Sequence, residues 1–182
     1  MQDYSDIELV HLFKSDDTRH LAFNIIVQRY QERLYWHIRK LVIVHDDADD
    51  ILQNTFIKVW SNLQNFRQDA QLFTWLYRIA TNEALSWLNQ KNKKSLFSLN
   101  TYEKTLENSL ESDSYFNGDE LQAKLQRAIL SLPAKQRVVF NMKYFDEMKY
   151  EEMASILDTS VGALKASYHH AVKKIEKFIK NN

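Results

Sequence analysis

Apolar residues recur at three- and four-residue intervals along almost the whole chain, a rhythm that builds helices rather than strands. A short helix is predicted over residues 6–14. A long one follows the polar stretch 15–18 and runs to about Val44, with Phe23, Ile26, Val27, Tyr30, Leu34 and Ile38 on one face. The acidic run 45–50 (HDDADD) precedes a helix in which Leu52, Phe56, Val59, Trp60 and Leu63 repeat at helical spacing. Periodicity weakens over 61–71, which reads as a loop. It returns over 72–91, where Leu72, Leu76, Ile79, Ala80 and Trp87 are in register and Glu83 shares their face with no partner visible in the sequence.

Between 94 and 117 the rhythm fails and Ser, Asn, Thr and Glu dominate. A stretch of that length is too long for a routine connection inside one compact domain, so it is expected to be a flexible linker. Helices are then predicted over 121–130 and 137–144, separated by Leu132 and Pro133, followed by 150–157, a short turn, and a last helix over 162–180. The expected architecture is all-α: a first helical domain over 1–93, the linker over 94–117, and a second small domain over 118–182 ending in a helix-turn-helix.

Composition narrows the function classes. Two Gly and one Pro in 182 residues cannot supply the turns of a sandwich or barrel. With no Cys there is no disulfide, thiolate zinc site or cysteine nucleophile. Apolar runs such as 41–44 are too short to insert in a membrane, and the acidic, polar start is unlike a secretory signal. The expectation is a soluble, cytoplasmic protein.

The overall charge balance, 24 basic against 24 acidic side chains, hides an asymmetry. Residues 1–93 carry 11 basic and 12 acidic groups, whereas 118–182 carry 11 and 8. The last 24 residues hold five Lys and one Glu, which points to a polyanionic partner at that end.

Three constellations carry candidate chemistry. On the last helix Leu164, Tyr168, Ala171 and Ile175 stack on one side, leaving Gly162, Ala163, Ala166, His169, His170, Lys173 and Lys177 on the other. Small residues first and lysines later suit close approach to base edges and then phosphates; a plain helical hairpin would explain the charge but not that order. Second, Asp50, Gln53, Asn54, Ile57 and Lys58 form a band opposite an apolar stripe; an apolar residue among polar ones suits a partner surface, and a solvated face would look similar. Third, most aromatics of this stretch, Phe73 and Trp87 among them, fit a core role by helical phase, which leaves Phe66, Arg67, Trp75, Arg78 and Asn82 as the aromatic, Arg and amide groups suited to stacking on unpaired bases. The HDDADD run could hold Mg²⁺, but Asp at a helix start is better explained by capping, and no second acidic motif faces it. The scattered His residues show no metal-ligand spacing and no nucleophile partner. No catalytic residue, metal or cofactor is therefore expected.

Four stretches in order, DADDILQNTFIKVW, FTWLYRIATNEAL, LPAKQRVVFNMKYFDEMKYEEMA and SVGALKASYHHAVKKIEKF, resemble the extracytoplasmic-function group of bacterial sigma factors. The resemblance covers about 5–92 and 119–178. It implies a non-enzymatic protein that brings core RNA polymerase to promoter DNA. The helix with Asp50, Gln53, Asn54, Ile57 and Lys58 would dock on polymerase. The segment with Phe66, Arg67, Trp75, Arg78 and Asn82 would open and read the −10 element. The final helix, through Ala163, Lys165, Ser167, His169, His170, Lys173 and Lys174, would read the −35 element as duplex. An anti-sigma factor is a further candidate partner. The chain departs from the family's habit at Ser86, Asn89, Ala163, Ser167 and His170, so the promoter sequence does not follow from it. Two competing readings are a stand-alone helix-turn-helix regulator and an Mg²⁺-dependent prenyl-transfer enzyme using HDDADD. The first leaves the Trp75 segment without a role, and the second needs the missing acidic motif.

Overall fold

The computed structural model describes residues 4–95 and 120–181, and every regular element in them is helical. In chain order these are α1 (Asp6–Phe13), α2 (Arg19–Val42), α3 (His45–Asn62), a 3₁₀ turn (Leu63–Asn65), α4 (Leu72–Ser95), α5 (Glu120–Leu130), α6 (Ala134–Tyr144), α7 (Tyr150–Leu157) and α8 (Val161–Asn181). Apart from its first two residues, which end α4, the expected linker lies outside the described residues.

Local chemistry explains the starts and stops. Ser5 opens α1 with a capping box: its hydroxyl accepts from the Glu8 N–H at 3.3 Å, and the Glu8 carboxylate accepts from the Ser5 N–H at 2.7 Å. The Ser5 N–H and the Ser5 hydroxyl, both donating to the Glu8 carboxylate at 2.7 Å, hold the Glu8 pKa below its ordinary value. The HDDADD run lies inside α3 rather than ahead of it. Asp46 and Asp47 occupy the first turn, where carboxylates offset the free N–H groups and the helix dipole. Asp47 also faces Lys91 of α4 at 3.7 Å; burial raises its pKa and Lys91 partly offsets that rise.

In α3 the inward stripe is Ala48, Ile51, Thr55 and Val59, one step round from the Leu52, Phe56, Trp60 row that the spacing suggests. Small side chains at Ala48 and Thr55 let α3 lie close between α2 and α4. The buried Thr55 hydroxyl is satisfied by donating to the Ile51 carbonyl at 2.8 Å. Leu52, Phe56 and Trp60 are left half-buried, where they edge a groove.

α4 buries Leu72, Leu76, Tyr77, Ala80, Ala84 and Leu88. It also buries Thr81, whose hydroxyl donates to the Tyr77 carbonyl at 2.7 Å and accepts from His37 Nε2 at 2.9 Å. Beyond the linker, α7 ends at Asp158 in a left-handed conformation (φ 50°), and the Ser160 hydroxyl accepts from the Ala163 N–H to start α8. Leu164, Ala171 and Ile175 turn inward from α8, with Tyr168 half-buried beside them, as the spacing predicts.

The two halves share apolar packing. One cluster gathers α1 to α4 and also takes in Val138, Met142, Met153, Ile156 and Leu164 from beyond the linker. A smaller one, Ala128, Ile129, Leu132, Phe140, Ala171 and Ile175, belongs to the second half alone. Contacts of α4 with α7 and of α2 with α6 join the halves.

Candidate nucleic-acid interface

The α3 band is exposed throughout: Asp50, Gln53, Asn54, Ile57 and Lys58 all face outward, Ile57 with 62% of its surface open. Beside it runs an apolar groove of about 680 Å³ whose far wall is α2, through Phe23, Val27 and Gln31. Phe23 and Val27, which the spacing puts on one face with Ile26, are half-buried and lie on the flank of α2, whereas Ile26 is at its centre. Lys58 pairs with Glu83 of α4, which supplies the partner Glu83 lacked in the sequence.

The segment after α3 separates into packing and presentation. Phe66 is only 9% exposed and lies 5.0 Å from the Trp75 ring, so its ring is used for packing and is not a free stacking platform in this conformation. The chain curls at Gln68, whose φ is 61°, and encloses with α1 a cavity of about 900 Å³ lined by Ile7, Val10, Tyr30 and Leu72 among others. Arg67, Arg78 and Asn82 are exposed and Trp75 is half-buried. Arg33 of α2 lies 3.9 Å over the Phe73 ring, adding a cation to this face that its distance in sequence concealed. Arg78 is already engaged: its guanidinium donates to the Ser155 carbonyl of α7.

On α8, Ala163, Lys165, His169, His170, Lys173 and Lys174 are exposed, whereas Ser167 is half-buried. A side chain built on Gly162 would meet nothing within 4 Å, so this end of the helix is open to close approach. Two lysines lean on their own domain. Lys174 donates to Gln136 Oε1 at 3.1 Å, and the Lys165 ammonium lies 5.7 Å from the Tyr150 ring centre. The surface thus offers small residues at the helix start and cations along its exposed flank, the order that base edges followed by phosphates require.

Between the halves, Asp146 is nearly buried. Its Oδ1 accepts from Lys40 Nζ at 2.7 Å, and its Oδ2 lies 3.7 Å from His37 Nδ1. Burial pushes its pKa up, but His37 and Lys40 together outweigh that and hold the carboxyl below the usual range. Among the described residues no helix is long and apolar enough to cross a membrane.

Residues 26–94 match the family described as Sigma-70 region 2, and residues 122–175 match Sigma-70, region 4. The RNA polymerase sigma-H factor of Pseudomonas aeruginosa is 29% identical over 180 residues, covering 94% of this chain and 92% of that one. The ECF RNA polymerase sigma-E factor of Escherichia coli (strain K12) is 29% identical over 183 residues, covering 96% and 94%. Among solved structures, the sigma factor RpoE in complex with the anti-sigma factor NepR from Bartonella quintana shares the fold. Its TM-score is 0.67, with 23% identity over 87% of this chain and 96% of that one.

Proposed function

Because the chain belongs to the extracytoplasmic-function group of the sigma-70 family, we propose how its surfaces divide the work of starting transcription. It is a sigma factor: it binds core RNA polymerase and directs promoter recognition and DNA opening. The observation that carries the reading is the order of the two regions on one chain, each with an outward surface suited to its task. The exposed α3 band and its groove take the polymerase. Arg67, Trp75, Arg78 and Asn82 take the opened −10 strand, and the exposed flank of α8 takes the −35 duplex. We assign the chain no chemistry of its own and a site of action in the cytoplasm, where its polymerase is. An anti-sigma factor, as found bound to RpoE of Bartonella quintana, is a proposed regulator. Run-off transcription with purified core enzyme on genomic fragments tests the whole reading; a chain that starts no transcript with any core enzyme contradicts it.

Two expected results probe the assignments. Gln53→Ala combined with Asn54→Ala should weaken core binding about tenfold, the loss of roughly 1.4 kcal/mol at an interface. Both side chains are exposed, so the melting curve should stay within about 0.5 kcal/mol of wild type. Wild-type core affinity in the double variant would remove this surface from the mechanism. Trp75→Ala should slow promoter opening by about 1–3 kcal/mol, the contribution of one base–aromatic stack, while sparing closed-complex formation. A pre-melted promoter should show the defect in affinity instead. Wild-type affinity for the pre-melted promoter would mean that Trp75 serves only to pack on Phe66.

A further inference from the structure

One acidic side chain stands on the face of α4 assigned to the opened strand. At about 100° per residue, Glu83 lies roughly 80° round the helix from Trp75, with Ile79 between them and Asn82 next to it in sequence. Arg67, Arg78 and Asn82, which share that surface, are cationic or neutral, as a path for phosphates requires. A carboxylate there repels phosphate, so its place needs another reason. The structure holds it in one setting: Glu83 Oε1 accepts from Lys58 Nζ of α3, and the acid side chain is only 18% exposed. The pair both neutralises the carboxylate and fixes its direction. Its second oxygen, Oε2, accepts no hydrogen bond among the described residues. A largely covered acceptor with no donor gains most when a ligand brings one. The other ion pair between these helices, Asp47–Lys91 at 3.7 Å, lies near the start of α3 and the end of α4, away from Trp75.

We propose that Glu83 is a specificity-determining residue of −10 recognition: its Lys58-held carboxylate accepts from the amino group of one unpaired base and rejects thymine. This rests on the assignment of the α4 face to the opened strand. The selection follows from the base edges that strand opening exposes. Cytosine offers its N4 amino group and adenine its N6 amino group, while guanine offers N1–H and the N2 amino group side by side. Thymine has no amino group, and its one N–H, at N3, lies between two carbonyl oxygens that a carboxylate repels. An acceptor-only side chain therefore separates the three amino-bearing bases from thymine. Lys58 keeps the site close to neutral, so the phosphates of the strand pass beside it without repulsion. One such contact gives thymine a penalty of at least about fivefold, the lower end of what a base-edge contact discriminates. An ion pair that served only to join α3 and α4 would leave base choice unchanged.

A fork-junction DNA library, bound by the full chain with core RNA polymerase, tests this. Each fork has random duplex upstream and a random single-stranded 3′ overhang on the non-template strand. The junction fixes the register, so sequencing the bound forks gives base frequencies at every overhang position. These are ratios within one pool, and a change in core affinity leaves them alone. Wild type should deplete thymine at least about fivefold at one overhang position. Glu83→Gln keeps the shape but adds an amino group that donates to thymine carbonyls, and Glu83→Ala removes the acceptor. Each should return thymine at that position to within about twofold of the input library. Asp47→Asn, which breaks the other pair between the same helices, should keep the wild-type depletion. No depletion by wild type, or equal depletion by wild type and both Glu83 variants, means that Glu83 reads no base. Depletion lost in Asp47→Asn as well means that the packing of α3 on α4, and not Glu83, sets the preference. Trp75→Ala checks the premise separately, through the recovery of forks over blunt duplexes. A fall in that recovery with thymine still depleted by the Glu83 variants overturns the role of Glu83 alone. No fall, with thymine still depleted, overturns the −10 assignment of α4 as well.

Discussion

Without core polymerase, the protein should hold a duplex promoter fragment no more tightly than about 10⁻⁴–10⁻⁶ M at physiological salt, the range of non-specific complexes. Core enzyme should bring specific binding at least about a thousandfold tighter. Duplex affinity comes mainly from neutralising phosphates and releasing counterions. Residues 1–93 carry 11 basic and 12 acidic groups and so attract no duplex, leaving the task to the five lysines of the last 24 residues. Two of these, Lys165 and Lys174, lean on Tyr150 and Gln136 of their own domain. Few phosphate contacts imply a shallow salt dependence, with a log–log slope no steeper than about −5 at roughly −0.9 per contact. Docking on polymerase would fix the spacing of the two DNA-reading surfaces, so that the first contact raises the effective concentration of the second. Gel-shift titrations of one promoter fragment at several salt concentrations, with and without core enzyme, measure both quantities. Tight, sequence-specific binding by the free protein would favour a stand-alone regulator.

The helices were legible because helical periodicity is local. The inward face of α8 is the one that the spacing of Leu164, Ala171 and Ile175 predicts, and α4 and α7 start at the expected residues. In α3 the spacing finds Val59 and Leu63 in the core, and the structure differs from it at the larger residues. Size and hydrophobicity favour Leu52, Phe56 and Trp60, but close approach of three helices selects Ala48 and Thr55 for the centre. A pattern that scores apolar bulk cannot weigh a small residue that permits contact against a large one that lines a groove. The burial of Phe66 depends on how the loop curls back toward α1, which no spacing rule encodes. The partner of Glu83, 25 residues away on another helix, was invisible for the same reason. The junction left a fainter trace. Arg137 and Asn141 stand one helical turn apart beside Val138 and Met142, and polar residues set so close to an apolar face of α6 ask for buried partners.

Arg137 is where that demand is greatest, and its replacement should show the largest stability effect in the chain. The side chain is 8% exposed and donates to three carbonyls: Leu41 O and Leu130 O at 2.9 Å, and Leu132 O at 3.3 Å. Leu130 and Leu132 flank the start of the Leu132–Pro133 turn, where α5 has ended and its carbonyls lack helical partners. One guanidinium thus caps α5, ties the turn to α6 and reaches across to α2. Hydrogen bonds from a charged donor contribute about 1.5–3 kcal/mol each, and buried acceptors left bare add a desolvation cost. Since the three bonds share one charge, they do not add fully; Arg137→Ala should lose about 3–5 kcal/mol, lowering the melting temperature by about 10 °C. Arg137→Lys retains the charge but lacks the planar fork that spans separate carbonyls, so it should recover less than half of the loss. Thermal melts of the three proteins at one pH decide this. A loss under about 1 kcal/mol for Arg137→Ala would mean that water replaces the guanidinium at these carbonyls and that the cap is dispensable.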